Sequence, residues 1–297
     1  MLCTTRAHQA NLTGTYLAWL STDATGAVDR FAGARGWVRT DGRPLADLPG
    51  ELLGALRYPI RFDENGHDVG EMSTYVATAT FSDGSPLDTC NDFSQTTGLV
   101  NAGLPWAAGA EWTADNQLSC GAALRLYCFG VDLDVPLVIT PAVGRTAFVS
   151  TTKFDPSTGL AMADAACTTD ASAAGLTGSF EALIPAAGAS AASRFDTAGA
   201  PWVRVDGIPL ADTAADFFNG NEVAPLNVTA SGKFVGVEPI TGLNTPLDVP
   251  SAGDDCNDWT NTTGGDVLGL ASESGSGLFF YTTAGCATAS PVYCLEM

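Results

Sequence analysis

Lysine and histidine are nearly missing from this chain, which carries two lysines, Lys153 and Lys233, and two histidines, His8 and His67, in 297 residues. Against 33 acidic side chains stand only 13 basic ones, so the formal net charge is −20. Residues 1–130 hold 8 arginines and 14 carboxylates, or −6; residues 131–297 hold 5 basic and 19 acidic side chains, or −14. Such a surface repels phosphate, which argues against nucleic acid and anionic membranes as partners. No apolar run reaches about 18 residues, so there is no candidate transmembrane helix and membrane insertion is not expected. Ser-His-Asp and Cys-His devices need a histidine, and no Gly-x-Ser-x-Gly elbow accompanies the two present. His-Glu-x-x-His, Gly-x-Gly-x-x-Gly and the phosphate-binding loop are missing as well. Cysteines spaced for zinc, or as a redox Cys-x-x-Cys, do not occur. The expectation is a protein that is not an enzyme and takes no cofactor.

What remains is enough to fold. The chain is 45% apolar and only 15% charged, too apolar and too weakly charged for disorder. Its length fits two domains, each able to bury a core.

Eight cysteines stand at 3, 90, 120 and 128 and again at 167, 256, 286 and 294, with intervals of 87, 30 and 8 and then 89, 30 and 8. The text between them repeats. Leu12-Thr13-Gly14-Thr15-Tyr16 answers to Leu176-Thr177-Gly178-Ser179-Phe180, and Arg30-Phe31 to Arg194-Phe195. Trp37-Val38-Arg39, Asp41-Gly42 and Pro44-Leu45-Ala46-Asp47 return as Trp202-Val203-Arg204, Asp206-Gly207 and Pro209-Leu210-Ala211-Asp212. Cys90-Asn91-Asp92-Phe93 matches Cys256-Asn257-Asp258-Trp259, and Tyr127-Cys128 matches Tyr293-Cys294. The sequence is therefore read as one module written twice, at 1–130 and 143–297, joined by a linker at 131–142 stiffened by Pro136 and Pro141. An even count at matched spacing indicates disulfides and an oxidising, extracellular setting, secreted or at the cell surface. Four cysteines per module allow three pairings.

In the second copy, Arg145 to Ser150 alternates like a strand, and the Ala-rich stretch Leu160 to Ala174 reads as a helix stopped by Gly175. Gly178 to Ile184 reads as a strand, Ala211 to Phe218 as a short helix ended by Asn219-Gly220, and Val292 to Leu295 as a closing strand. The first copy follows with a helix up to Ala10, a strand from Thr15 to Leu20, a short helix from Leu48 to Ala55 and a closing strand from Leu124 to Phe129. Few helices, short strands and long loops place the chain in the α+β class. The start, Met1-Leu2-Cys3-Thr4, shows no signal peptide, which leads to the expectation that the chain begins inside a longer protein. Only two residues precede Cys3, so the first copy is expected to lack an opening strand, to leave its closing strand with an open edge, and to be the less stable copy. Completion of that edge by a neighbouring subunit's strand is the alternative to a displaced start.

The run Leu-Thr-Gly-Thr-Tyr-Leu-Ala-Trp-Leu-Ser at 12–21, Cys-Asn-Asp-Trp at 256–259 and the terminal Cys-x7-Cys resemble the endostatin domain of collagens. They are also similar to repeats in bacterial secreted and surface proteins. The resemblance covers nearly all of both copies. It implies two tandem C-type-lectin-like domains with nested disulfides, Cys3–Cys128 around Cys90–Cys120 and Cys167–Cys294 around Cys256–Cys286. Endostatins bind heparin through arginine patches, and these acidic modules lack them, so heparin binding is not expected. The family's zinc site relies on histidines near the N-terminus, and with His8 and His67 alone zinc is not implied; no metal site is expected.

Clustered carboxylates raise the question of calcium, which needs grouped oxygen ligands. Asp248, Asp254, Asp255 and Asp258 stand together in the second copy, and Asp83, Asp88 and Asp92 in the first. The plainer role of such residues is to stabilise turns through nearby backbone N–H groups. Calcium-using lectins carry a Trp-Asn-Asp run and a Glu-Pro-Asn triplet; Cys-Asn-Asp-Trp is not that run, and Glu238-Pro239-Ile240 is half the triplet. His67 lies in Asp63-Glu64-Asn65-Gly66-His67-Asp68, a solvated turn. Trp19, Trp37, Trp106, Trp112, Trp202 and Trp259 could stack sugars but are expected in the cores, with Phe93 buried as the counterpart of Trp259. Two functions are carried forward: a non-catalytic recognition or adhesion module binding glycan or extracellular protein through its long loops, and a structural spacer of a larger repeat protein.

Overall fold

In the computed structural model, which describes residues 2–70, 75–186, 188–250 and 254–297, the chain divides into two units, Met1–Ile139 and Thr140–Met297. Both mix short helices with small sheets, and four disulfides cross them: Cys3–Cys128, Cys90–Cys120, Cys167–Cys294 and Cys256–Cys286.

The first unit opens with the helix Leu2–Gln9, which turns Cys3 and Ala7 inward. Strand β1 (Tyr16–Ala18) follows, then the hairpin β2 (Trp37–Val38) and β3 (Pro44–Ala46). The segment expected as a helix at 48–55 is a 3₁₀ helix, Pro49–Leu53. Proline at its first position and Gly50 favour a start but not an α-helical continuation. A four-stranded sheet orders β6 (Asn116–Ser119), β5 (Leu99–Gly103), β4 (Val76–Ala77) and β7 (Arg125–Leu126). The closing strand expected at 124–129 is divided. β7 runs parallel to β4, whereas β8 (Cys128–Gly130) runs antiparallel to β1, with Tyr127 at the change of partner. Residues 131–137 lie along this unit: Arg35 N–H donates to Leu133 O at 3.1 Å and Leu137 N–H to Asp47 Oδ1 at 2.7 Å.

The second unit has the longer helix Leu160–Ala173, ended by Gly175 at φ 73°, where a side chain would be strained. Its main sheet orders β10 (Phe180–Ala182), β14 (Tyr293–Glu296), β9 (Arg145–Val149) and β11 (Trp202–Arg204); β9 is antiparallel to β14 and parallel to β11. A hairpin joins β12 (Gly265–Leu268) to β13 (Thr282–Gly285). The short helix Ala214–Phe218 begins where Thr213 Oγ1 accepts from Asp216 N–H at 3.0 Å.

Aromatic side chains fill each core. In the first, Trp19 lies 5.0 Å from Trp112 and 5.6 Å from Phe31, with Trp37, Tyr127 and Phe129 around them. In the second, Trp202 packs on Phe195, Phe217 and Phe218. A separate cluster gathers Phe148, Phe154, Phe180 and Trp259 around both disulfides of that unit. The repeated Trp-Val-Arg-x-Asp-Gly text has one physical meaning in both units. Arg39 Nη2 meets Asp41 at 2.6 Å and Nη1 donates to Pro59 O at 2.8 Å; Arg204 Nη2 meets Asp206 at 2.5 Å and Nη1 donates to Asn227 Oδ1 at 2.7 Å. These guanidiniums are buried, so the partners offset a desolvation cost that would otherwise expel them.

Candidate functional site

Cys90-Asn91-Asp92-Phe93 and Cys256-Asn257-Asp258-Trp259 each form a single left-handed turn. Their φ angles are 53°, 52°, 53° and 58° in the first and 54°, 54°, 58° and 58° in the second. Left-handed backbone costs a residue with a Cβ about 1–2 kcal/mol, so four in succession persist only where the surroundings impose them. Here the impositions are visible. Cys90 is bonded to Cys120 and Cys256 to Cys286. Thr89 Oγ1 accepts from Asp92 N–H at 3.3 Å, and Asp255 Oδ1 from Asp258 N–H at 3.1 Å. Ser94 Oγ donates to Asn91 O at 2.6 Å, and Thr260 Oγ1 to Asn257 O at 2.7 Å. Asn and Asp tolerate this backbone better than other side chains, which explains the central pair. All four of these central side chains, Asn91, Asp92, Asn257 and Asp258, are exposed.

The aromatic that ends each turn differs between units. Trp259 is fully buried, donates its Nε1–H to Pro185 O at 2.8 Å and meets Phe154 edge-on at 5.7 Å. Phe93, expected buried, is instead 41% exposed. The seat explains this correction. A methyl on Gly242 would stand 2.7 Å from Trp259 Cη2, and the first unit has Ala79 at the place where the second has Gly242. That place is set by paired bonds: Thr78 and Ala79 both donate to Asn101 O, as Thr241 and Gly242 both donate to Val267 O. The methyl of Ala79 takes the space a ring would need.

Behind the second turn, Asp255 and Asp266 face each other in an antiparallel bridge. Asp266 is 1% exposed, and its carboxyl oxygens have no hydrogen-bond partner among the described residues. Burial pushes its pKa up to about 7. The corresponding bridge in the first unit joins Thr89 to Val100.

The acidic residues considered for calcium are mostly occupied by backbone and side-chain donors. Asp248 accepts from Thr245 N–H at 2.9 Å, Asp83 from Ser85 N–H at 2.9 Å, Asp88 from Gln117 Nε2 at 2.5 Å, and Asp92 from Asp23 N–H at 2.7 Å. Asp254 is exposed beside the turn. Among the described residues no group of three or more His, Cys, Asp or Glu is arranged to hold a metal ion. His8 Nε2 lies 2.9 Å from Gly14 O, and exposed His67 has its Nδ1 3.6 Å from Asp63.

Five of the six tryptophans are buried and Trp106 is half-buried, so sugar stacking cannot fall to the buried five. Exposed aromatics are Phe280 and Tyr281 at the start of β13, with Phe81, Phe93 and Phe234 elsewhere. Phe279 ends the short helix Ser276–Phe279 and is buried, while Phe280 and Tyr281 lie between that helix and β13 and face solvent. Buried Glu222 and Glu273 flank Tyr293, whose hydroxyl donates to Leu278 O at 2.9 Å; burial first, and these carboxylates second, raise its pKa. That group is closed to solvent. A shallow groove of about 340 Å³ in the second unit is lined by Pro141, Thr146, Leu176, Val203 and Asp206 among others.

Neither a family model nor a curated protein matches this sequence.

Proposed function

We propose that the chain is a pair of endostatin-like, C-type-lectin-like modules of a secreted or surface protein, and that they recognise glycan or protein without catalysing a reaction. The observation that carries this reading is the left-handed turn, present in both units, which holds an Asn-Asp pair in solvent at the inner disulfide. Backbone strain of this kind collects where a fold holds side chains for recognition, and loops on a rigid scaffold are where binding concentrates. Four disulfides fit an extracellular setting, and no helix among the described residues is long and apolar enough to cross a membrane.

The test is a glycan array probed with the whole chain, beside variants Asn91→Gly with Asp92→Gly and Asn257→Gly with Asp258→Gly. Glycine keeps the positive φ and relieves its strain, which offsets the loss of the Asp23–Asp92 and Asn91–Ser94 bonds, so these variants should stay folded with little change in unfolding temperature while binding falls at least about tenfold. Binding that survives in both would move recognition away from the turns. An array without a single saturable hit would favour the spacer role.

A further inference from the structure

One carboxyl in the second unit is folded where a charge cannot be held. Asp266 lies in β12 beside the inner disulfide: Cys256 Sγ and Cys286 Sγ stand 3.9 and 3.5 Å from the carbonyl oxygen of Gly265, the residue before it. It is 1% exposed, and neither carboxyl oxygen has a hydrogen-bond partner among the described residues. An ionised carboxylate needs donors or a cation, and lacking both it either keeps its proton or draws water in. The charged side chains of the neighbouring elements offer no relief. Those of the turn are Asp254, Asp255 and Asp258, and Asp155 stands at the start of Pro156–Thr158, which packs against the turn. β13 opposes Asp266 with Ala284 and carries no charge, and residues 240–242 on the other side of β12 are Ile, Thr and Gly. Lys153, ahead of Asp155, and Glu238, ahead of Ile240, are exposed.

Asp266 is tied to the left-handed turn through Asp255. The two stand opposite each other in an antiparallel bridge, which puts their side chains on one face with Cβ atoms about 4.5–5.5 Å apart. Asp255 in turn holds the turn closed at two points: its Oδ1 accepts from Asp258 N–H at 3.1 Å and its backbone O from Trp259 N–H at 2.9 Å. Water that reaches an ionised Asp266 by parting this bridge displaces Asp255, and with it both bonds. The first unit makes the same two bonds, with Thr89 Oγ1 accepting from Asp92 N–H at 3.3 Å and Thr89 O from Phe93 N–H at 2.9 Å. Its bridge, Thr89 to Val100, contains no titrating group.

We infer that Asp266 is a proton-operated latch on the second turn: with its proton in place the Cys256–Trp259 turn is held, and loss of the proton frees it, while the first turn has no such control. The latch regulates the recognition proposed above, and its use in binding rests on that reading; the latch itself is a property of the turn's backbone. Its direction follows from the pKa of about 7 that burial gives Asp266, against 3.8 in water. Asp266 is protonated when the turn is closed and ionised when it is open, so closing takes up one proton. The turn is therefore tightest below about pH 4, its opening equilibrium grows by up to about tenfold per pH unit, and the effect levels off above about pH 7. One chain thus carries a turn indifferent to pH and a turn favoured by acid.

Backbone amide exchange of the whole, disulfide-intact chain, followed by NMR from about pH 4.5 to about pH 8, reads the latch without any ligand, so its failure is separate from a failure of glycan binding. After correction for intrinsic exchange rates, protection of the Asp258 and Trp259 amides should fall on the order of tenfold per pH unit up to about pH 7 and then level, while that of Asp92 and Phe93 stays flat. At about pH 7 the Asp258 and Trp259 amides should also exchange at least about tenfold faster than those of β14, which marks a local opening. Asp266→Asn, which keeps the shape without the charge, and Asp266→Val, which installs the first unit's residue, should each remove the slope. A slope that survives in a folded variant, equal slopes in the two turns, or protection equal to that of β14 at every pH would overturn the proposal.

Discussion

Gly242 and Trp259 are a fitted pair: a methyl on Gly242 would stand 2.7 Å from Cη2 of the indole and 3.3 Å from Pro185 Cδ. The φ of Gly242 is +66°, so an L side chain there meets both a clash and a strained backbone. Gly242→Ala should therefore lower the stability of the second unit by several kcal/mol and red-shift tryptophan fluorescence as the ring is displaced. Trp259→Ala should cost about 3–5 kcal/mol, as for other large buried aromatics. The converse pair, Ala79→Gly with Phe93→Trp, should draw the new ring inward, measured as protection from acrylamide quenching. A fully quenched ring would show that the seat also needs Phe154 and its loop.

Asp266 gives the second unit a pH dependence of defined sign. Its pKa rises from 3.8 when solvated to about 7 when folded, so between those values the folded unit holds a proton that the unfolded chain releases. This contribution is complete below about pH 4, falls as pH rises and is lost above about pH 7. Replacing it with the residue the first unit uses, Asp266→Val, should raise stability at pH 7.5 by on the order of 2–4 kcal/mol and flatten the difference curve between pH 4 and 7. Asp170 slopes the other way. Burial raises its pKa, but bonds from Thr152 and Thr151 outweigh that and hold it low, so its support is lost as pH falls. Urea titrations of the parent and variant across pH 4–8 separate the two; parallel curves would remove Asp266 as the cause.

The outer bridges should differ in their response to reductant. Cys128 is exposed, while Cys167 and Cys294 are fully buried. Brief dithiothreitol treatment followed by alkylation and peptide mapping should label Cys3 and Cys128 well before Cys167 and Cys294. Equal labelling would mean that both units open before either bridge is attacked.

Hydrogen exchange should rank the closing strands in the same order. Cys128 N–H faces the open edge, whereas Cys294 N–H faces β9, so the amide of Cys128 should exchange faster.

Much of this architecture was legible because it depends on local text. Thr213 and Asp216 cap a helix three residues apart, Gly175 stops one, and Trp-Val-Arg-x-Asp-Gly carries a turn whose Asp neutralises its own Arg. The mixed α+β class followed from such pieces. What escaped was decided across the chain. Phe93 and Trp259 occupy the same motif, yet their burial is set by Ala79 and Gly242, and Trp259 also leans on Phe154. The division of the first closing strand at Tyr127 reflects two partners, Val76–Ala77 and Tyr16–Ala18, that no local pattern around residue 127 announces. The left-handed turns were hidden for a different reason. Cys-Asn-Asp is ordinary turn composition, and only the disulfide and the capping bonds extend a common left-handed residue to four.

Each outer bridge, Cys3–Cys128 and Cys167–Cys294, joins residues 125 and 127 positions apart, while the inner ones span 30. During vectorial synthesis the inner pair can meet as soon as a short hairpin has emerged, but the first cysteine of each unit must wait for the last strand. A translating chain therefore carries one unpaired thiol per unfinished unit for nearly the whole time that unit is being made. The helix bearing that thiol is left undocked meanwhile, which makes it the natural point of attack for oxidoreductases and for wrong partners alike.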